Sequence, residues 1–413
     1  MATTEKRSGR LPHSFRLLWA ATAMSNLGDG LRLTALPLLA TSITTDPRAI
    51  AGIAVADRVP WLVFILPGGA WADRFDRRLL RMRLDTARAV VMVGFVCLIA
   101  VDRASVVAIY VVAALLASGE AIVDSSSMAL VPATVDQRDL ERAGSRLSST
   151  ELLTNGLIGP PLGGLLFGVA MVVPFGIDAA SFAAAAITMV LLSGSFAPAD
   201  GGVTDESMTR QIGEGFRWFW RRPVLRNLAL VSTALGTASF IGAAVFVLFA
   251  TQTLDLSATG YGLLLVPAAV GGIAGSLLAP KLTNSSLRLV LATSVTCSGI
   301  ATSITSAISI PVLVGALAAI SAAAVLTWNV LTLALRQRSI PDHLLGRVGA
   351  SYRFLVYIGM PFGALAGGFL ANAFGIRSAL AVNGATFIAI GLSIPYLLRG
   401  VDDHAQSMPQ VTA

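Results

Sequence analysis

The sequence predicts an all-α membrane protein of twelve transmembrane helices, arranged as two six-helix bundles related by a pseudo-two-fold axis. Three observations predict the membrane helices, and the polar break and internal echo described below predict the two halves. Residues are 55% hydrophobic and only 13% charged, about half the roughly 25% charged share of ordinary soluble chains. Apolar runs long enough to cross a bilayer follow one another along the chain, and Lys and Arg gather in alternate connections. Twelve helices of about 20 residues need roughly 240 apolar or small positions, and 55% of 413 residues together with 39 Gly supplies them.

The spans are expected near 15–41, 50–72, 79–101, 104–131, 147–172, 174–193, 225–250, 257–279, 287–306, 308–335, 348–373 and 376–398. The first 14 residues are polar and basic (Lys6, Arg7, Arg10). The apolar run after them is too long for a signal-peptide core, so it reads as an uncleaved first helix. Basic residues crowd before Phe15 and into 74–83, 138–146, 210–226, 281–288, 336–347 and Arg399, whereas the intervening connections offer Arg48, Arg103 and Arg377. This positive-inside bias places a multi-pass protein in the cell inner (cytoplasmic) membrane with both termini cytoplasmic. The net charge of +7 therefore belongs to membrane topology, and nucleic acid is not an expected partner.

Cys97 and Cys297 fall in the third and ninth spans, where small buried or lipid-facing side chains are expected in place of a disulfide or metal pair. His13, His343 and His404 lie outside the spans. No metal constellation, Walker-type loop or enzyme signature is present, which disfavours ATP-driven transport and implies no cofactor.

The long polar break at 193–222 divides the chain. Expected units are an N-terminal bundle at 1–195, a cytoplasmic linker at 196–224, a C-terminal bundle at 225–400 and a tail at 401–413. Within the linker, Phe216, Phe219 and Trp220 share one helical face and Arg217 and Arg221 another, so this helix is expected to lie along membrane lipid. An internal echo supports two related halves. Gly-Pro-Pro-Leu-Gly-Gly-Leu-Leu at 159–166 matches in style Pro-Phe-Gly-Ala-Leu-Ala-Gly-Gly-Phe-Leu at 361–370, as parallel repeats of a 6+6 transporter would.

Between the second and third spans, 69–78 reads Gly-Ala-Trp-Ala-Asp-Arg-Phe-Asp-Arg-Arg. Gly69 permits close helix approach, Asp73 can face a helix N-terminus, and Arg74, Arg77 and Arg78 can sit among headgroups, together forming a cytoplasmic latch. The spacing resembles motif A of the major facilitator superfamily, with Asp76 where that pattern has Gly. Gly159, Pro160, Gly163 and Gly164 resemble the core of motif C of drug-proton antiporters, with Asn155 in place of an upstream glycine. The run 15–40 and Gly346-Arg-Val-Gly-Ala350 followed by Pro361 are similar to the branch containing macrolide efflux pumps and the enterobactin exporter. The resemblance implies a secondary transporter exporting an amphipathic small molecule against entering protons by alternating access, and the protein is expected to be monomeric. The arginine usual in that family's fourth span is absent here.

A charge at the bilayer centre costs about 2.5 to 3.5 kcal/mol on insertion scales, so each intramembrane acid needs a reason. Asn26, Asp29 and Arg32, three residues apart, form one polar stripe on the first span. Burial and Arg32 act on Asp29 in opposite senses, which suits a proton carrier, while a static Asp29–Arg32 pair is the plain alternative. Glu120 and Asp124 stand one turn apart in the fourth span; two acids so placed need a proton or a cation between them. Glu120 is expected to bind a proton or a cationic substrate, and Asp124 to meet Arg77 in the latch. Glu151, Asn155, Trp328 and Asn329 are further candidates for the substrate cavity. Asp57 with Arg58, Asp85 with Arg88, and Asp178 read as span-end residues satisfied by local pairing or snorkelling. Two other classes remain open at this point: a facilitator or importer of a small metabolite, and a non-transporting membrane sensor or scaffold using the linker.

Overall fold

The computed structural model describes residues 11–72, 75–192, 196, 208–284, 286–341 and 344–402. Every secondary-structure element among them is helical. The helices are α1 (His13–Ile43), α2 (Pro47–Ala72), α3 (Arg77–Ala100), α4 (Val106–Thr134), α5 (Leu140–Glu151), α6 (Gly159–Val169) and α7 (Val173–Leu191). A connecting helix α8 (Met208–Trp220) leads to α9 (Pro223–Leu248), α10 (Ala258–Leu278), α11 (Leu287–Ala307), α12 (Pro311–Ser339), α13 (Leu345–Phe374) and α14 (Ile376–Leu397). A π-helical turn, Leu152–Ile158, joins α5 to α6, and another, Phe249–Thr253, ends α9.

Among the described residues, nine helical stretches are long and apolar enough to cross a bilayer. Helices α1, α2 and α3 have 31, 26 and 24 residues, also enough for a crossing of about 20. Helices suit lipid because they satisfy each backbone group internally. Side-chain hydroxyls do the same by turning back onto the preceding helical turn, as Thr233 does on the Ala229 carbonyl and Thr332 on that of Trp328. Large apolar side chains such as Val107, Val312, Phe362 and Phe369 face outward, the arrangement of a helix whose outside is also oil. Cys97 and Cys297 are free and exposed on that surface.

The observed helices follow the expected spans closely except at α5. Basic content at 138–146 predicts a connection, yet α5 begins at Leu140. Ala143 is fully buried, with Leu140 and Leu147 packed beside it, while Glu141 and Arg142 point outward. An amphipathic turn has prolonged the span beyond its apolar part.

Helix α1 packs on α6 and α7, α2 on α4, and α3 on α4 and α7; farther along, α9 packs on α13 and α14, α10 on α12, and α11 on α12 and α14. Broad contacts between these two sets run through α2 with α13 and α6 with α10. Glycine makes both contacts possible. On α6, Gly159 and Gly163 face Gly30 and Leu31 of α1, while Gly164 and Gly168 face Gly262 and Thr259 of α10. A Cβ on Gly164 would lie 2.5 Å from the Gly262 Cα. On α13, Gly363 and Gly367 face the Thr237 and Ile241 carbonyls of α9, and Gly368 faces Ala51 and Arg48 of α2. The Gly-Gly pairs 163–164 and 367–368 thus do the same work: one glycine packs within its own set, the next against the other. The echo seen in the sequence is a repeated packing device, consistent with small residues letting membrane helices approach closely. Chain order puts these contacts at the end of the molecule away from the termini.

The 69–78 segment is partly visible. Gly69 lies in the last turn of α2, and Asp73 and Arg74 lie outside the described residues. Arg77 opens α3. The α3 N-terminus, for which the motif offers Asp73, is capped by Asp76, which accepts from the Arg78 and Leu79 amides at 2.9 and 3.1 Å. Arg78 donates through Nε and Nη2 to the Met189 and Val190 carbonyls at the end of α7, at 2.8 and 2.9 Å. One residue pair therefore completes the open donors of one helix and the open acceptors of another. Asp402 serves α11 similarly, accepting from the Arg288 amide at 3.0 Å and the Ser286 hydroxyl at 2.7 Å. At the opposite end, hydrogen bonds from Arg48 hold the Asp46 carboxyl below the usual carboxylate range. That contact is fully present at neutral pH and is lost only as the pH falls through the lowered value.

In α8, Phe219 is buried, and Phe216 stacks on Trp220 at 5.0 Å with both rings partly exposed. Arg217 and Arg221 are exposed, as the amphipathic reading requires.

Two outcomes test this packing. Gly164→Val and Gly368→Val are each expected to force the α6–α10 or α2–α13 contact apart, lowering the unfolding midpoint. With Cys97 and Cys297 replaced by Ser, a reporter Ala51→Cys should then react faster with an impermeant maleimide; unchanged labelling contradicts the packing account. Asp76→Ala should destabilise the protein by about 1 kcal/mol through loss of a helix cap, read as a lower unfolding midpoint with the helical content retained.

Candidate functional site

Four helices deliver carboxylates to one guanidinium. On α1, three-residue spacing sets Asp29 beside Arg32, Oδ1 to Nη2 at 2.8 Å. The same Nη2 meets Glu120 of α4 at 3.2 Å, Nη1 meets Asp57 of α2 at 3.5 Å, and Nε lies 3.7 Å from Asp178 of α7. Gly28 allows this crowding, since any Cβ there would strike the Asp178 carboxylate.

A second layer comes from α3. Arg88 donates to Asp29 Oδ1 at 2.6 Å and to the Ser25 hydroxyl at 3.1 Å, and lies 3.9 Å over the Phe182 ring. Asp85 sits between Arg81 and Arg88, 3.5 Å from each. Arg81 also donates to the hydroxyls of Thr22 and Ser127. Asp29, Arg32, Arg81, Asp85, Arg88 and Asp178 are all at most 2% exposed. Neither carboxylate oxygen of Asp85 or of Asp178 accepts a hydrogen bond among the described residues.

The cluster counts five carboxylates, Asp29, Asp57, Asp85, Glu120 and Asp178, against four guanidiniums, Arg32, Arg58, Arg81 and Arg88. Fully ionised, it carries an excess negative charge in a medium where uncompensated charge is expensive. Glu120 is its most accessible carboxylate, with a side chain 21% exposed, and it lines a cavity.

That cavity, of about 320 Å³, is lined by Asn26, Asp29, Trp61, Glu120, Asp124 and Glu151 among others. A second, of about 410 Å³, is lined by Trp328, Asn329, Arg336, Tyr352, Arg353 and Tyr357 among others. The two adjoin across a seam. Asp124 and Arg353 pair there at 3.6 Å, and Trp61 meets Tyr357 edge-on at 5.9 Å. The lining residues fall on the halves of their helices nearer the chain termini, on the open side of the glycine contacts.

Several expectations change against this geometry. Asp124 meets Arg353 of α13, a partner from the far half of the chain, where the sequence offers Arg77 of the neighbouring loop. The repulsion expected between Glu120 and Asp124 is relieved because each has its own guanidinium, Arg32 and Arg353. Asn155 lies in the π-helical turn, its carbonyl packed toward Gly30, and lines neither cavity. The expected local pairs form, Asp57 with Arg58 at 3.3 Å and Asp85 with Arg88 at 3.5 Å, but they do not snorkel at span ends: Asp57 also reaches Arg32, and helix packing brings Asp85, Arg88 and Asp178 to full burial around Asp29 and Arg32. The signal that could have found part of this is the spacing of Arg81, Asp85 and Arg88, four and three residues apart, which makes a stripe on α3 matching that on α1.

The chain matches a family model described as transmembrane secretion effector over residues 11–410. It is 29% identical over 395 residues to the multidrug efflux pump Tap of Mycolicibacterium fortuitum, covering 93% of each protein. It is 26% identical over 415 residues to the enterobactin exporter EntS of Escherichia coli (strain K12), covering 97% of this chain and 95% of that one. Among solved structures, a bacterial homologue of the lysosomal transporter Spinster, inward-facing and unoccupied, superposes with a TM-score of 0.73 at 15% identity, covering 96% of this chain and 98% of that one. A bacterial homologue of the iron transporter ferroportin, in an inward-facing state, gives 0.72 at 17% identity over 94% and 98%. These likenesses show that the chain shares the all-helical fold of these transporters. With the model spanning nearly its whole length, this multi-pass membrane chain belongs to the transmembrane secretion effector family of major facilitator transporters, which are not enzymes.

Proposed function

We propose that the protein exports amphipathic small molecules in exchange for entering protons. The observation that carries this reading is the acid surplus around Arg32, in contact with a cavity through Glu120. Five carboxylates facing four guanidiniums favour retention of one proton, and Glu120 is the member placed to exchange it. Export is supported by the efflux relatives, whose similarity extends over nearly the whole chain.

In this reading twelve helices form two six-helix bundles, 1–195 and 225–400, joined by the linker 196–224 and followed by the tail 401–413. The bundles rock about the seam of a single chain, with both termini in the cytoplasm and the paired cavities opening there. Asp29 holds Arg32 and Arg88 in place; proton exchange belongs to Glu120, backed by Asp178. Loss of the Glu120 charge frees Arg32 to strengthen its contacts with Asp57 and Asp178, shifting helices α1, α2, α4 and α7 relative to one another. Substrate and proton thereby favour opposite openings, which is the coupling that exchange requires. At the cytoplasmic side, the Asp124–Arg353 pair and the 69–78 segment with Arg74, Arg77 and Arg78 act as the gate.

Glu120→Gln should abolish substrate-induced proton release from acid-loaded inside-out vesicles while lowering stability by less than about 1 kcal/mol, since the residue is partly exposed. Asp29→Asn should instead lower stability by about 3–5 kcal/mol, because it leaves two buried guanidiniums without their shared partner. Undiminished proton release in Glu120→Gln contradicts the exchange reading. For the gate, Asp124→Arg and Arg353→Asp should each cut efflux about tenfold or more, and the double exchange should restore a substantial part of it. Additive losses in the double variant would mean that the pair does not act as a unit.

A further inference from the structure

The two cavities carry opposite charge. Behind and along the first stand Asp29, Asp57, Asp85, Glu120, Asp124, Glu151 and Asp178, opposed by Arg32, Arg58, Arg81 and Arg88. Among the described residues no carboxylate lines the second, whereas Arg336 and Arg353 do. Arg353 is shared with Asp124 at the seam, but Arg336 has no carboxylate partner among the described residues. Its Nε donates to the Thr332 carbonyl at 3.3 Å, and its guanidinium lies 3.9 Å over the Tyr352 ring. These contacts fix its direction and leave its charge uncompensated.

Taking the two cavities as one translocation site, as the export reading does, we infer that the site selects dipolar amphiphiles. A cationic group lies against Glu120 and Glu151, an anionic group against Arg336, and an apolar or aromatic body spans the seam between Trp61, Tyr357 and Trp328. The Asp124–Arg353 pair stands midway with the same polarity, so a bound dipole lies parallel to it and aligns each end with unlike charge. A purely cationic molecule gains the first contact and meets two arginines at its other end. A purely anionic one gains the second and meets the acids. Neither uniformly charged class obtains both contacts, which makes the arrangement selective as well as attractive.

A matched dye pair tests this directly: tetramethylrhodamine with a free carboxylate, a zwitterion near neutral pH, and its methyl ester, a cation of nearly the same shape. Fluorescence anisotropy on the purified full chain in detergent reads affinity without any gradient, so failure of proton exchange in vesicles and failure of charge selection are separate results. The wild type is expected to bind the zwitterion about tenfold more tightly than the ester, the worth of a charge-assisted contact in a partly enclosed site. Arg336→Gln should bring that ratio to about one, and Arg336→Lys should keep it above about threefold, with unfolding midpoints confirming that both variants are folded. Equal binding of the two dyes by the wild type, preference for the ester, no binding of the zwitterion, or a ratio that survives Arg336→Gln would overturn the inference.

Discussion

The structure turns on the burial of Arg32. A guanidinium sealed from water must be surrounded by acceptors, and here they come from α1, α2, α4 and α7 through Asp29, Asp57, Glu120 and Asp178. Arg88 then compensates the acids that Arg32 draws in, and Asp85 and Arg81 extend the alternation toward α4. A network of this kind is rigid when every charge is matched and yields when one is not. In the exchange proposed above, the excess carboxylate is both a place for a proton and a reason for the helices to respond to it.

Glycine supplies the complementary constraint. The cluster holds the first set of helices from inside, while Gly164, Gly168 and Gly368 let α6 and α13 press against the other set at the end remote from the termini. These contacts are backbone against backbone or against small side chains, so they can part without breaking ionic bonds. The seam nearer the termini is different: an ion pair and an aromatic pair, Asp124 with Arg353 and Trp61 with Tyr357, bridge two cavities. One end is closed by shape and the other crossed by charge, which gives the two ends different sensitivities to a charged substrate.

Much of this was legible in the sequence because membrane physics writes itself in long apolar runs and in the placement of Lys and Arg. The Asp29–Arg32 stripe was legible from spacing alone, and the echo between 159–166 and 361–370 correctly marked equivalent glycines. What was not legible depends on helices meeting sideways. Asp178 is near the start of its helix, yet a glycine on α1 admits it to the centre. Asp124 finds Arg353 across most of the chain length, a pairing that no local pattern encodes. Asp76 looked like a departure from a motif and proves to be a helix cap. Asn155 looked like a cavity residue, but it lies in the π-helical turn Leu152–Ile158, which packs its carbonyl toward Gly30 of α1.

In the proposed exchange, the Arg32 cluster holds a proton at rest and gives it up when substrate binds. Infrared difference spectroscopy of the purified protein reads this directly in the C=O stretch of a protonated carboxyl group. The account predicts a carboxyl band at neutral pH that disappears on adding a transported substrate, with the substrate-induced loss absent in Glu120→Gln. A spectrum with no protonated carboxyl before substrate, or a band untouched by substrate, would contradict it.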